Sequence, residues 1–382
     1  MEQKIKMKTD LIKGFRDYDG KEAEKKAIIK EIIRQTFERY GFAAAETPII
    51  ESEKFVRGEN ANDEAISDIY VLQDKAKRKL ALRYEFTFQL KRLMKNKKLP
   101  FKRYQVGEVF RNEPVTGNRL RQFTQCDADI IGSTTKDEAE VLAMTKEILD
   151  SLKINCVIYF NSRKLLNEVL DKFEIKKKLE VIKEIDKLDK LSEKEILINL
   201  KKLGAEKLLD IFKKPENYFK KYKSYSEIKE LRECCKNYGI EIKFFPSLAR
   251  GLSYYNENVF EIKAKGIKET LVGGGSYKFN DVQCTGISFG LERLCAVANL
   301  IVDLEKYLIV SLGQDKQAIK LAQKLRKKNK IVSVYYGKPS KAMEYANSYG
   351  FKRIIFVGSR EVRERKFKVK IMKTGRESLL KL

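Results

Sequence analysis

The 382-residue chain contains no histidine. That absence removes every Ser-His or Cys-His nucleophile and every imidazole general base. Its six cysteines, Cys126, Cys156, Cys234, Cys235, Cys284 and Cys295, show no C-x-x-C spacing. Without imidazoles to complete a set, a protein zinc site is not expected. The sequence has no apolar run of membrane-spanning length and no signal peptide. With scattered cysteines, this implies a reducing, cytoplasmic setting and no membrane partner. There are no internal repeats, and no Pro/Ser-rich linker apart from the short "VDLE" before Lys306. Any chemistry must rest on carboxylates, arginines, lysines, a bound metal ion or the substrate's own groups.

What is present is positive charge. Lys and Arg outnumber Asp and Glu by 80 to 54, a formal charge of +26, which at this size points to a polyanion, nucleic acid before membrane. A lysine-rich, AT-rich genome would inflate lysine without any function, but the excess is local. Residues 307–382 hold 20 basic and 5 acidic side chains, so +15 of the +26 sits in the last 76 positions. With 43% hydrophobic residues the chain can build two or three packed domains.

Along the chain, residues 20–40 place Ala23, Ala27, Ile28, Ile32, Thr36 and Phe37 on one helical stripe, with Asp19 as a cap and Gly41 as a stop. "FAAAETPII" follows as a strand whose proline suits an edge or an interface. A dimer surface and an ordinary core helix beside an edge strand fit that pattern equally. "KLALRYEFTFQLKRLMKN", from Lys79, runs a short strand into a helix. "RYQVGEVF" and "TQCDADIIG" each alternate as half-buried strands do, and between them lies "RNEPVTGNRLRQF", with three arginines and one glutamate in 13 positions. This reads as an antiparallel hairpin with a basic loop. Arg111 and Arg121 near the strand ends suit an anion lying on the sheet, with Arg119 reaching further out; a solvated loop in a basic protein is the plainer reading. Residues 162–238 are lysine-rich amphipathic helix, an apparent insertion. Strand character returns through "ETLVGGGSYKFN" and "CTGISFGLERL", and the segment from Lys306 alternates strand and helix as a small α/β domain.

Several of these motifs, in order and spread over nearly the whole chain, resemble class II aminoacyl-tRNA synthetases, specifically the histidyl-tRNA synthetase family. The first helix and "ETP" strand resemble motif 1, "FRNEPVTGNRLRQFTQ" motif 2, and "GISFGLERL" motif 3. "LARGLSYYNENVFEI" (248–262), the following "GGGSY", "NSRKLL" (161–166) and "GKPSKAMEYANSYG" resemble segments specific to the family. The resemblance implies an α+β fold: a six-stranded antiparallel catalytic sheet flanked by helices (1–161 and 239–303), a helical insertion (162–238) and an α/β anticodon-binding domain (307–382). It implies a homodimer through motif 1, with L-histidine, ATP and histidine tRNA as substrates and Mg²⁺ on the β- and γ-phosphates.

By the same resemblance Arg111 takes the α-phosphate, Glu113 the adenine amino group and Arg119 the γ-phosphate. Phe123 stacks on adenine, Arg293 closes the other side of the nucleotide, and Arg250 reaches the α-phosphate opposite Arg111. Glu85, Thr87 and Gln125 match the positions that bind the substrate ammonium, and Asp129 and Tyr255, beside Tyr254, those that read the imidazole. A carboxylate and a phenol can address both ring nitrogens at once. Asp129 stands where many members carry glutamate, Tyr84 and Phe86 flank Glu85 unusually, Thr124 replaces a common histidine, and Ser276 and Lys278 depart from "GGRYD". Two rival readings are a synthetase-like regulatory subunit of ATP phosphoribosyltransferase and a non-catalytic RNA-binding protein. The first usually lacks the basic C-terminal domain; the second would not need the nucleotide arginines together with Glu85, Gln125 and Tyr255.

Overall fold

The computed structural model describes residues 10–58, 64–115, 119–188, 191–250, 254–267 and 269–380. They divide between Leu300 and Ile301 into two compact units. In the first, the strands are β1 (Ala43–Ala44), β2 (Ile50–Ser52), β3 (Val71–Gln73), β4 (Lys79–Leu82), β5 (Phe101–Phe110), β6 (Gln122–Ile131), β7 (Cys156–Ser162), β8 (Lys243–Phe244), β9 (Tyr255–Ala264), β10 (Thr270–Phe279) and β11 (Val282–Gly290). Among the described residues the main sheet runs β1-β5-β6-β11-β10-β9-β7-β8. Its six inner strands are antiparallel throughout, as expected, and a two-residue parallel strand is added at each edge. Strands β2-β4-β3 form a small separate sheet.

Because side chains alternate along a strand, the register sorts the large sheet into two chemically distinct faces. Cys126, Ala128 and Ile130 of β6, Ile287 and Phe289 of β11, Phe260 and Ile262 of β9 and Phe160 of β7 share one buried cluster with the helices Gly20–Arg39 and Thr135–Ser151. The second helix starts on a capping box, with Asp137 Oδ2 accepting from the Thr134 backbone N–H at 2.7 Å. The buried stripe of the first helix differs from expectation. Ile29, Ile33, Thr36 and Phe37 are buried, Ala27 is exposed, and Ile28 and Ile32 are half-buried. The run "AIIKEII" offers two adjacent stripes, and Phe37, whose ring lies 5.3 Å from Tyr104 and 6.1 Å from Phe289, selects the one at i+4 spacing from Ile29. Asp19 occupies the cap position without a side-chain capping hydrogen bond, while Gly41 ends the helix at φ 79°.

Between β7 and β8 the described residues form six helices, from Arg163–Lys172 to Tyr225–Asn237, and apolar residues such as Val181, Ile196, Phe219 and Leu231 extend the same core.

The second unit holds β12 (Lys306–Ser311), β13 (Ile331–Tyr336), β14 (Arg353–Val357), β15 (Lys368–Ile371) and β16 (Glu377–Leu379), in the order β13-β12-β14-β15-β16. The first three are parallel and the last two antiparallel. Alternate residues of β12 feed two separate cores. Tyr307 and Ile309 pack on one side and Leu308 and Val310 on the other, beneath the helices Asp315–Arg326 and Pro339–Ser348 respectively.

Candidate active site

The other face of the large sheet carries polar side chains and glycines. Arg103, Gln105 and Gly107 of β5 stand opposite Asp129, Asp127 and Gln125 of β6, which stand in turn opposite Gly286, Ser288 and Gly290 of β11. Two glycines make the floor possible. A Cβ at Gly286 would collide with the Asp129 carboxylate, and one at Gly273 would lie 2.6 Å from the Arg250 guanidinium.

At the hairpin end, Arg111 leaves β5 with its Nε donating to the Tyr84 carbonyl at 3.1 Å and its guanidinium carbon 5.3 Å from the centre of the Phe123 ring. Glu113 lies between two cations, 3.9 Å from Arg111 and 3.4 Å from Arg119. Arg293, on the helix Leu291–Val297, donates to the Thr270 carbonyl at 3.1 Å. Burial lowers its pKa, and the positive charges of Arg119 and Arg111 lower it further. Two guanidinium groups thus stand close enough to Arg293 to disfavour its charge, an arrangement that an anion relieves. Arg121 serves the hairpin itself: its Nε donates to the Glu113 carbonyl at 3.2 Å, and its side chain packs beside Gly14. The tip, 116–118, lies outside the described residues. The motif-3 glutamate is structural: Glu292 accepts from the Thr124 backbone N–H at 3.1 Å and pairs with Lys26 at 2.7 Å, joining helix, sheet and helix.

Arg250 sits in the left-handed region at φ 57°, which for a bulky residue costs on the order of 1–3 kcal/mol. Its Nη1 donates to Glu261 Oε1 at 2.7 Å, and Thr270 Oγ1 donates to Glu261 Oε2 at 2.9 Å. Burial opposes the charge of Arg250, but Tyr255 and Glu261 carry its pKa above the ordinary arginine value. Residues 251–253, which follow it, lie outside the described residues.

A cavity of about 520 Å³ opens at the far end, lined among others by Glu85, Thr87, Tyr254, Tyr277, Lys91 and Lys278. Asp129, 4% exposed, is reached from it through Tyr277, whose hydroxyl donates to Asp129 at 2.5 Å, and lies 2.7 Å from Arg103 Nη2. Burial raises its pKa against the pull of Arg103. Asp127 is pushed up to about 7 by burial, with Arg103 opposing and Asp129 reinforcing. Gln125 links the two ends, its Nε2 donating to Asp127 at 2.9 Å and its Oε1 accepting from Arg111 at 3.4 Å. Tyr255 is buried on β9 opposite Tyr277, its ring 4.8 Å from that of Tyr254.

Of the residues expected from sequence, Glu85, Thr87 and Tyr254 line this cavity; Gln125, Asp129 and Tyr255 form buried layers of the same sheet face; Arg111, Glu113, Arg119, Phe123 and Arg293 gather at the hairpin. Arg103, Glu261 and Tyr277 were not anticipated. Tyr277 had a signal, its place two residues beyond the glycine run. Glu261 also had a signal, its place at the end of the segment "LARGLSYYNENVFEI" that holds its partner Arg250; Arg103 had none, because its partner Asp129 lies on the next strand.

Residues 14–294 match the family model described as histidyl-tRNA synthetase, and residues 306–382 the one described as anticodon binding domain. Histidine–tRNA ligase 1 of Bacillus cereus is 31% identical, with 96% of each chain covered. The histidine–tRNA ligase of Methanocaldococcus jannaschii is also 31% identical, with 96% of each chain covered. Among solved structures, the histidyl-tRNA synthetase of Nostoc sp. PCC 7120 superposes with a TM-score of 0.85 at 23% identity, covering 98% of this chain and 97% of that one. A protein titled ATP phosphoribosyltransferase regulatory subunit/histidyl-tRNA synthetase from Bacillus halodurans superposes at 0.77 with 19% identity, covering 93% and 99%. At those identities the two structures speak to the fold alone.

Proposed function

The chain belongs to the histidyl-tRNA synthetase family, and from that premise we propose that it activates L-histidine with ATP and transfers it to the 3′-end of histidine tRNA. The observation that carries this reading is the convergence of Arg111, Arg119 and Arg293 beside Phe123, with the Arg250 guanidinium over Gly273 of the same sheet and a polar cavity beyond. The histidine carboxylate attacks the α-phosphorus of ATP and pyrophosphate leaves, so the protein need not generate a nucleophile. Positioning and charge neutralisation are what these side chains supply. Arg111 and Arg250 flank the α-phosphate, Arg119 and Arg293 hold the outer phosphates, Phe123 stacks on adenine, and Glu113 accepts from its amino group. Glu85, Thr87 and Gln125 hold the substrate ammonium, while Asp129, together with Tyr254 and Tyr255, reads the imidazole. A tRNA hydroxyl then attacks the adenylate carbonyl and AMP leaves.

Among the described residues no three Cys, Asp or Glu side chains form a metal-sized cluster. Mg²⁺ would therefore enter with the nucleotide, held chiefly by it, and would supply neutralisation of phosphate charge. Exposed Ile49, Ile50, Val71 and Leu72 around the small sheet support a dimer built on the motif-1 side. Six free cysteines support a cytoplasmic protein, and no helix among the described residues is long and apolar enough to cross a membrane.

The regulatory-subunit reading draws on the shared fold. The nucleotide arginines and the anticodon-binding match over residues 306–382 favour the ligase. Histidine-dependent exchange of pyrophosphate into ATP is the test: a ligase catalyses it, and its absence from folded protein would refute the proposal.

A further inference from the structure

Arg250 is held from both directions. Its head rests over Gly273 and against Glu261, but its backbone follows a stretch, 246–250, that belongs to no strand or helix, the β7–β8 ladder ending where the Phe245 N–H donates to the Phe160 carbonyl. Buried carbonyls in such a stretch need donors from elsewhere. Here the donors are two side chains at the end of β7. Asn161 Nδ2 donates to the carbonyls of Pro246 at 2.8 Å and Leu248 at 3.0 Å, and its Oδ1 accepts from the Ser162 backbone N–H at 2.9 Å. Arg163 Nη1 donates to the Ala249 carbonyl at 3.1 Å. Both side chains are buried, 1% and 3% exposed. Three of the four carbonyls immediately before Arg250 are therefore captured, and the next residue adopts the left-handed conformation.

We propose that Asn161 and Arg163 are positioning residues for Arg250, clamping residues 246–249 so that its guanidinium points along the sheet over Gly273. The inference rests on the role given to Arg250 in the proposed function. The clamp also reaches the helices between β7 and β8. Arg163 opens the helix Arg163–Lys172, Asp186 follows Lys178–Ile185, and the charge of Asp186 supports both Arg163 and Arg250 against the cost of burial.

A double-mutant cycle on the full chain tests this, using histidine-dependent pyrophosphate exchange for kcat and KM and thermal melting for folding. Arg163→Met keeps the stem and removes the donor. Displacing a reacting group by about an ångström costs up to about a hundredfold, so kcat should fall roughly ten- to a hundredfold while KM for histidine and ATP stays within about twofold. In an Arg250→Ala background the same change should cost less than about threefold, since the residue it serves is gone. Arg163→Lys, which still offers an N–H to Ala249, should restore most of the rate. If Arg163→Met does not fold, Asn161→Ser answers the same question in the same cycle. Equal losses with and without Arg250, a loss residing in KM, or no rescue by lysine would each overturn the clamp. No exchange by the unmodified protein would overturn the functional reading, and the clamp with it.

Discussion

Glu138 lies beneath the sheet on the helix Thr135–Ser151, only 2% exposed, and its carboxylate joins two strands of the site. Asn258 of β9 donates to it at 2.6 Å, and the Ser276 hydroxyl of β10 donates to its other oxygen. Glu227 and Glu257 face it from the neighbouring helix and strand, with Lys164 bridging that pair at 2.7 Å to each. Burial pushes its pKa from 4.5 up to about 7, the two hydrogen bonds opposing and the two glutamates reinforcing. The folded state therefore holds a proton that the unfolded state releases between pH 4.5 and 7, so this group's contribution to stability is fully present below that window and is lost as pH rises through it. At about 1.4 kcal/mol per unit the full penalty is about 3 kcal/mol, of which about 2 kcal/mol develops between pH 5 and pH 8. Glu138→Gln removes the titration and keeps an acceptor for Asn258. Denaturant unfolding of both proteins at several pH values should show the variant gaining about 2 kcal/mol on the parent between pH 5 and 8, equivalent to several degrees in Tm. A slope will remain, because Asp127 and Asp129 are also raised by burial. Parallel curves for parent and variant would refute the reasoning.

Arg250→Ala should lower the rate of adenylate formation at least about a hundredfold, or roughly 2.7 kcal/mol, with little change in histidine KM; rapid-quench kinetics would show it. Asp129→Asn removes a charged acceptor worth about 1.5–3 kcal/mol, so calorimetry should find histidine affinity falling roughly ten- to a hundredfold while ATP affinity holds. Because Arg103 loses its buried counter-charge, the same variant should also melt lower. A chain ending at Glu305 keeps the first unit's core and every proposed catalytic side chain, so it should still make histidyl-adenylate. Its tRNA charging should fall by orders of magnitude, and the salt slope of tRNA binding should drop by a few units as phosphate contacts are removed.

Much of the fold was legible because its signals are local. Period-two alternation marked "RYQVGEVF" and "TQCDADIIG", and the structure pairs them residue for residue from Phe101 opposite Ile131 to Phe110 opposite Gln122. Alternating strands and helices likewise marked the α/β unit from Lys306. Motif order was sufficient to indicate the family. The helix Gly20–Arg39 shows the limit of periodicity: two neighbouring stripes satisfied the pattern, and Phe37 against Tyr104 and Phe289 chose between them. The contacts that shape the site join residues far apart. Tyr277 donates to Asp129 across 148 positions, Ser276 to Glu138 across 138, and Asn161 to Leu248 across 87. Sequence by itself determined which residue types were available and which face of each strand they occupied, since both follow from covalent order and side-chain alternation. Only the tertiary structure decided which buried charge meets which partner, because pairing at that range is set by strand register and by desolvation. Neither of those leaves a trace in the spacing of neighbouring residues.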